Sequence, residues 1–311
     1  MTIEQSAREE RQVRVSKVGD RVFLGLSRGA GVFILVTLAG VALFLFREAL
    51  PALQADATEF RDSDTFLQYV GPLVFGTVLA SVLAVVLAAP LAVAVALYLT
   101  HYAPKRLART FGQFVDLLAA IPSVVFGLWG IAFLAPLLAR HVYPVLHENF
   151  GWIPLFAGPV VPSGRSMLTA GIVLAVMILP LMTAISREAF SRTPRLHEEA
   201  SLALGATRWE MIRQAVLPFG RSAVVSGTML GLGRALGETM AVAMILSPAD
   251  LFSVNLIGPE NPNTIAANIA LRFPEAQGLD VNRLLATGLV LFAVTLVVNL
   301  VARRIASGGA A

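Results

Sequence analysis

Six apolar runs alternate with polar stretches along the chain, at 29–46, 69–100, 117–139, 166–186, 221–247 and 284–302. Each has the length, about 17 residues or more, that lets an α-helix cross a hydrocarbon core. The pattern predicts an all-α membrane protein with six transmembrane helices. Pro72 and Pro90 fall inside the second run and predict a bent or broken helix, and Pro122 and Pro136 interrupt the third. Pro180 sits in the fourth. The stretch 47–68 is acidic (Glu48, Asp56, Glu59, Asp62, Asp64), whereas 101–112 reads as a short basic loop. Residues 140–165 carry Tyr143, Phe150, Trp152 and Phe156 among prolines and glycines, as suits a segment at a bilayer interface. The long polar loop 248–283 holds a short predicted helix over 264–272.

Composition agrees with the pattern. Of 311 residues, 56% are hydrophobic and 14% charged, against about 25% charged in a soluble domain. Cysteine is absent, which excludes disulfides and thiolate metal sites. His101, His141, His147 and His197 are scattered without metal-ligand spacing, so no metal site and no role is assigned to them. Basic residues number 24, of which only Lys17 and Lys105 are lysine. Seventeen of the 24 lie in the N-terminal tail, in 101–112, in 187–221 and at the C-terminus, and six in the alternate loops. The positive-inside rule then places both termini in the cytoplasm. The net charge of +4 reflects this topology and not a nucleic-acid partner. The tail 1–28 mixes acids with bases and is too long before the first apolar run to be a signal peptide. No internal repeat suggests the inverted halves of many secondary transporters.

One charge is out of place for a topology signal. The fifth run carries Arg234 and Glu238 in its interior, and charges in hydrocarbon face a bundle interior or a watered path. In a continuous helix from Arg221 the two stand four residues apart on one face, with Arg234 about 20 Å in. Two small-xxx-small pairs, Gly227/Gly231 and Gly233/Gly237, would let another helix come close beside them. The plain alternative is an intrahelical ion pair that only neutralises itself. Arginine presents a planar fork of donors suited to oxyanions. Glu238 could hold that fork or accept from a protonated oxyanion, and Thr239 is a further candidate donor. Asp116, at the edge of the third run, reads as an interfacial anchor or cap.

The stretch 187–218 predicts two short helices and a turn. Thr193 as N-cap with Pro194 first in the helix opens one over 196–204, and Gly205 closes it in a left-handed conformation. Thr207 and Glu210 form a capping-box pattern for the second, which runs to Pro218. An ordinary amphipathic connector would have the same shape. The spacing is more specific: Glu199-Ala200-Ser201, three residues, Gly205, nine residues, then Ala215-Val216-Leu217-Pro218.

That spacing resembles the EAA loop of ABC importer permeases, with Ser201 and Ala215 as small departures. The resemblance implies that Glu199, Ala200, Gly205, Leu217 and Pro218 belong to a coupling element that docks on an ATPase subunit. The fifth run, Leu232-Gly-Arg-Ala-Leu-Gly-Glu-Thr-Met-Ala-Val242, together with Ala120-Ile-Pro-Ser-Val-Val-Phe-Gly-Leu-Trp-Gly130, resembles phosphate-specific permeases of the PstC family. The sister PstA family shares the Arg-Ala-x-Gly-Glu-Thr core but continues differently. The likeness covers roughly 69–304 and implies a type I ABC importer permease fold in a bacterial inner membrane. It implies a heterodimer with a PstA-like permease, two copies of a PstB-like ATP-binding subunit and a PstS-like periplasmic phosphate-binding protein. It also implies that Arg234 and Glu238 take part in phosphate movement. The resulting division is a cytoplasmic tail (1–28), a first transmembrane helix with its periplasmic loop (29–68), a permease domain (69–304) containing the coupling loop (193–218), and a C-terminal tail (305–311).

No G-x-x-x-x-G-K-[ST] loop exists in the chain, so ATP and magnesium belong to the partner ATPase, and no cofactor or catalytic residue is assigned here. Three functions remain open: a phosphate importer permease, a permease for another oxyanion such as molybdate or sulfate, and an intramembrane enzyme or uncoupled channel. The enzyme would want a Ser/His pair or metal cluster within the spans, and the channel leaves the two-helix element unexplained. Topology is directly testable. A reporter fused after Glu59 or Gln277 is expected to score as periplasmic, and one after Thr193 or Gly308 as cytoplasmic. A Thr193 fusion reporting from outside would defeat the importer reading.

Overall fold

The computed structural model describes residues 17–55 and 65–307. Most of the N-terminal tail, the acidic positions Asp56, Glu59, Asp62 and Asp64, and the C-terminal Gly308 lie outside the described residues. The chain divides into two compact units, Met1–Glu48 and Ala49–Ala311. What is described of the first is one helix with an almost wholly exposed apolar surface, part of α1 (Lys17–Gln54). The second unit contains α2 (Phe66–Leu97, extended by a wide turn to Tyr102), α3 (Lys105–Ala119), α4 (Ser123–Phe150) and α5 (Met167–Ser191). It continues through α6 (Arg195–Ala203), α7 (Arg208–Leu236), α8 (Met240–Ile245), α9 (Ile265–Arg272) and α10 (Leu279–Ser307). A two-residue parallel bridge joins β1 (Pro248–Ala249) to β2 (Asn261–Pro262). Among the described residues six helices are long and apolar enough to cross a membrane.

α5 is the centre of the second unit, packed along α2 and α7. Ala80, Ala84, Ala88, Ala92 and Ala96 recur every fourth residue as a buried stripe on α2. Small residues suit this role, because helices in lipid associate by close packing and not by the hydrophobic effect. The approach is tight: a Cβ on Gly171 of α5 would meet the Leu83 side chain.

Proline acts differently from the expectation. Pro72 and Pro90 lie inside an unbroken α2, and Pro180 inside α5. Membrane helices tolerate proline where neighbours re-satisfy the freed carbonyl. In α4 and α7 the chain instead widens. π turns at Gly130–Leu134, Leu138–Val142 and Ile212–Val216 each end two residues before Pro136, Pro144 and Pro218. A wider turn moves the preceding carbonyls away from the proline ring, so the helix continues past it. Consequently Pro218 does not end a helix: α7 runs unbroken from Arg208 to Leu236, joining the second short helix to the fifth span.

The third span also begins later than the hydropathy suggests. Residues 105–119 form α3, a separate helix with one apolar and one polar face, and the spanning segment starts at Ser123 after Pro122. The basic loop expected at 101–112 is therefore largely helical. α9 does form, with the Ala267 N–H donating to the Thr264 hydroxyl as an N-cap (3.3 Å).

Candidate functional site

The fifth apolar run is not one helix. α7 stops at Leu236, residues 237–239 turn, and α8 resumes at Met240. Gly237 is the C-terminal cap of α7. The Thr239 hydroxyl donates to the Gly237 carbonyl (3.1 Å), a local bond that competes with the helical ladder. The Ala241 N–H donates to Glu238 Oε1 (3.2 Å), so this buried carboxylate caps the start of α8. Arg234 stands in the last turn of α7, where the helix carbonyls favour a cation.

The break corrects the expected geometry. Arg234 and Glu238 are no longer stacked four residues apart on one helix, since Glu238 lies beyond the helix end. Among the described residues the Arg234 side chain makes no ion pair and no hydrogen bond, with Glu238 or any other group. The self-neutralising pair is therefore absent, and the half-buried Arg234 fork retains its donors. The glycines also divide. Gly227 and Gly231 face Ile185 and Met182 of α5, where an added Cβ would sit 3.1 and 3.0 Å from side-chain atoms. Gly233 has nothing within 4 Å and Gly237 only its own helix, so the second small-xxx-small pair seats no helix among the described residues.

Three further contacts hold α8. Gly127 of α4 lets the Ala241 backbone approach, as a Cβ there would lie 2.9 Å from Ala241 Cα. Gly130 leaves room for the side chains of Val173 of α5 and Ile245 of α8, which a Cβ there would meet at 2.7 and 2.9 Å. The segment 120–130 that stood out in the sequence thus forms the bed of α8. At the other end Arg165 donates from Nη2 to the Leu246 carbonyl (3.1 Å) and from Nε to that of Ile245 (3.5 Å). Asn261, fully buried, accepts from the Met167 N–H (2.9 Å) and donates to the carbonyls of Gly258 (3.2 Å) and Arg165 (3.4 Å). Sequence reasoning counted Arg165 as a loop cation and passed over Asn261. The bonds that tie them to α5, to α8 and to each other span 80 to 96 residues, which no local pattern reports; Gly258 alone is a near neighbour of Asn261.

At the other end of α7 the two short helices meet at Gly205, whose φ of +86° favours glycine. The capping box is complete, with the Glu210 N–H donating to the Thr207 hydroxyl (3.3 Å) and the Thr207 N–H to Glu210 Oε2 (2.7 Å). α6 begins one residue later than expected: Pro194 occupies the N-cap, and Thr193 Oγ1 is buried with no partner among the described residues. Proline preceded by an extended residue can open a helix without a hydroxyl cap. Glu199 and Ala200 are exposed, as are Leu196 (74%), Leu204 (90%) and Trp209 (57%), which leaves an apolar surface on this element. Leu217 and Pro218 lie inside α7. His101, given no role from sequence, reaches Glu198 of α6 (3.5 Å). Asp116 is bound by Arg187 at 3.1 Å through both carboxylate oxygens, which anchors α3 to α5. No cluster able to hold a metal ion occurs among the described residues.

Residues 89–308 match the family of binding-protein-dependent transport system inner membrane components. A protein of Mycobacterium tuberculosis named phosphate transport system permease protein PstC 2 is 46% identical over 95% of this chain and 94% of its own length. A Mesorhizobium japonicum protein named phosphate transport system permease protein PstC is 40% identical over 94% and 91%. Among solved structures, a bacterial alginate ABC transporter in complex with an alginate-bound periplasmic protein aligns with TM-score 0.56 at 18% identity, covering 94% of this chain and 98% of that one. An inward-facing methionine ABC transporter, MetNI, aligns with TM-score 0.52 at 16% identity over 78% and 95%. These structural likenesses show the fold, that of an all-α membrane protein with six transmembrane helices.

Arg165→Ala leaves the Ile245 and Leu246 carbonyls without their donor and is expected to cost about 1.5–3 kcal/mol of stability, as for a hydrogen bond to a charged group. Arg165→Lys, which keeps a charged donor, should lose less. Thermal unfolding of the purified protein measures both, and an unchanged melting temperature in Arg165→Ala would rule out the capping role.

Proposed function

The chain belongs to the family of binding-protein-dependent transport system inner membrane components, and from that premise we propose that its break between α7 and α8 is the phosphate-handling part of an ATP-driven importer. The observation that carries the proposal is the division of labour at the break. Glu238 is engaged with the start of α8, while Arg234 keeps its fork of donors. Interrupted backbone at membrane depth is tolerated only when buried in protein or lining a watered cavity. A planar cation beside such a break suits a tetrahedral oxyanion, and Thr239 stands next to it. The names carried by the 46% and 40% identical relatives favour phosphate over molybdate or sulfate.

In this reading the chain pairs with a second, PstA-like permease. A PstS-like periplasmic protein delivers phosphate, and a PstB-like pair of subunits binds and hydrolyses ATP with magnesium. The chain itself catalyses no reaction. Both termini and α6 face the cytoplasm of a bacterial inner membrane, in keeping with the placing of the basic residues. The exposed Leu196, Leu204 and Trp209 around Gly205, with Glu199 and Ala200, then offer the ATPase its docking surface. The unbroken α7 supports a direct coupling route. Its 29 residues form a rod of about 43 Å at 1.5 Å per residue, with the capping box at one end and Arg234 near the other. Displacement of the docked element would move Arg234 without passing through a hinge.

The test uses labelled-phosphate uptake in cells lacking other phosphate carriers, with abundance checked by immunoblot. Arg234→Gln is expected to abolish uptake while membrane abundance and ATPase association persist. Arg234→Lys should also be poor, since an ammonium lacks the planar fork. The pair Arg234→Gln with Glu238→Gln removes both charges yet keeps an acceptor for the Ala241 N–H, and should stay inactive. Recovery of uptake in the double variant would make Arg234 a structural residue.

A further inference from the structure

The first two-faced helix of the second unit, α3, has a surface that neither the transport path nor the docking element uses. Leu107, Phe111, Phe114 and Leu118 recur at three- and four-residue intervals, and each remains 44–58% exposed. At 3.6 residues per turn they form one stripe. Lys105, Arg109 and Asp116 lie on the opposite face, with Arg106 at its edge. A flank between the two, Gly112 and Val115, is buried, and Arg187 of α5 crosses Gly112 to bind Asp116. The helix is thus fixed to the bundle along one side while its apolar stripe stays uncovered. Lys105, Arg106 and Arg109 are exposed, and their side chains make no ion pair or hydrogen bond among the described residues. Asp116 is already bound, and the first turn holds no acid.

Two observations fix where this surface stands. α3 connects the end of α2 to the start of α4, both spans, so it lies at the level where the chain leaves and re-enters the membrane. Pro104 and Pro122 bound it with extended backbone (ψ 144° and 140°), so it continues neither span. Just before it, Tyr98 and Tyr102 are 53% and 46% exposed, at the end of α2 where an aromatic belt marks the membrane–water boundary. A helix with an apolar face, an opposed polar face and basic residues is the form that lies in the interface plane.

We propose that α3 rests in the cytoplasmic leaflet, its Leu107–Phe111–Phe114–Leu118 stripe among the acyl chains and Lys105, Arg106 and Arg109 on the headgroups of anionic phospholipid. The choice of leaflet rests on the orientation proposed above; the lipid contact itself does not, and the experiment does not depend on transport. Anionic lipid fits because the three cations form no ion pair among the described residues and a surface of negative potential supplies the counter-charge.

The absence of cysteine makes the test direct. Phe111→Cys, Phe114→Cys and Gln113→Cys, each the sole cysteine of the assembled transporter, are spin-labelled after reconstitution into vesicles of neutral lipid with or without anionic phosphatidylglycerol. Labels at 111 and 114 are expected to be about tenfold more accessible to oxygen, relative to a water-soluble nickel chelate, than the label at 113. In the parent, phosphatidylglycerol should deepen the label at 114, and in Lys105→Gln/Arg106→Gln/Arg109→Gln it should not. Nickel access equal at all three positions would overturn the interfacial placement. Labels at 111 and 114 immobilised and shielded from both reagents would mean that a partner subunit covers the stripe. Equal depth with and without phosphatidylglycerol would overturn the headgroup contact.

Discussion

In hydrocarbon an unpaired backbone N–H or C=O costs several kcal/mol, so a spanning helix can stop only where other groups complete its hydrogen bonds. The break at 237–239 meets that condition on both sides. Glu238 accepts at the first turn of α8, Arg165 donates at its last, and Thr239 bonds the carbonyl of the C-capping Gly237. A six-residue helix would be marginal alone. Here it is held at both ends by charges and seated on two glycines of α4. Because Glu238 serves the backbone, Arg234 is left with its donors, and the proposed chemistry of the site follows from this local requirement.

The same requirement accounts for the prolines. Before Pro218 the chain widens the preceding turn and the helix continues as an unbroken rod, whereas Pro72, Pro90 and Pro180 sit inside helices without such a turn. Where the chain needs a change of direction, proline stands at a helix start instead, as at Pro104 and Pro122. α7 therefore links the Gly205 turn to Arg234 rigidly, while α3 is set apart from the spans on either side.

Much of this was legible in the sequence, for identifiable reasons. Six long apolar runs give six spans because length and hydropathy alone decide insertion. The Thr207–Glu210 capping box and the Gly205 turn were legible because their partners lie within three or four residues. The resemblance to the PstC family matches the names of the 40–46% identical relatives. The helix break was not legible. Met240–Ile245 continues the apolar run, and glycine and threonine are common within membrane helices, so hydropathy saw one span where there are two pieces. α3 was hidden by two overlapping signals: its basic residues read as a loop, and its last apolar residues merged with the next run. Arg165 and Asn261 hold α8 and the start of α5 through bonds that span 80 to 96 residues, which no local pattern reports.

The central claim is that the break lies on a watered path where Arg234 meets phosphate. Thiol accessibility tests it most directly. Thr239→Cys, as the sole cysteine of the assembled transporter, is exposed to a water-soluble methanethiosulfonate reagent in membranes with and without phosphate, in the presence of the periplasmic binding protein. The account predicts modification from water, slowed by phosphate, with the protection lost when Arg234→Gln is added. A thiol unreactive under every condition, or protected equally in Arg234→Gln, would contradict it.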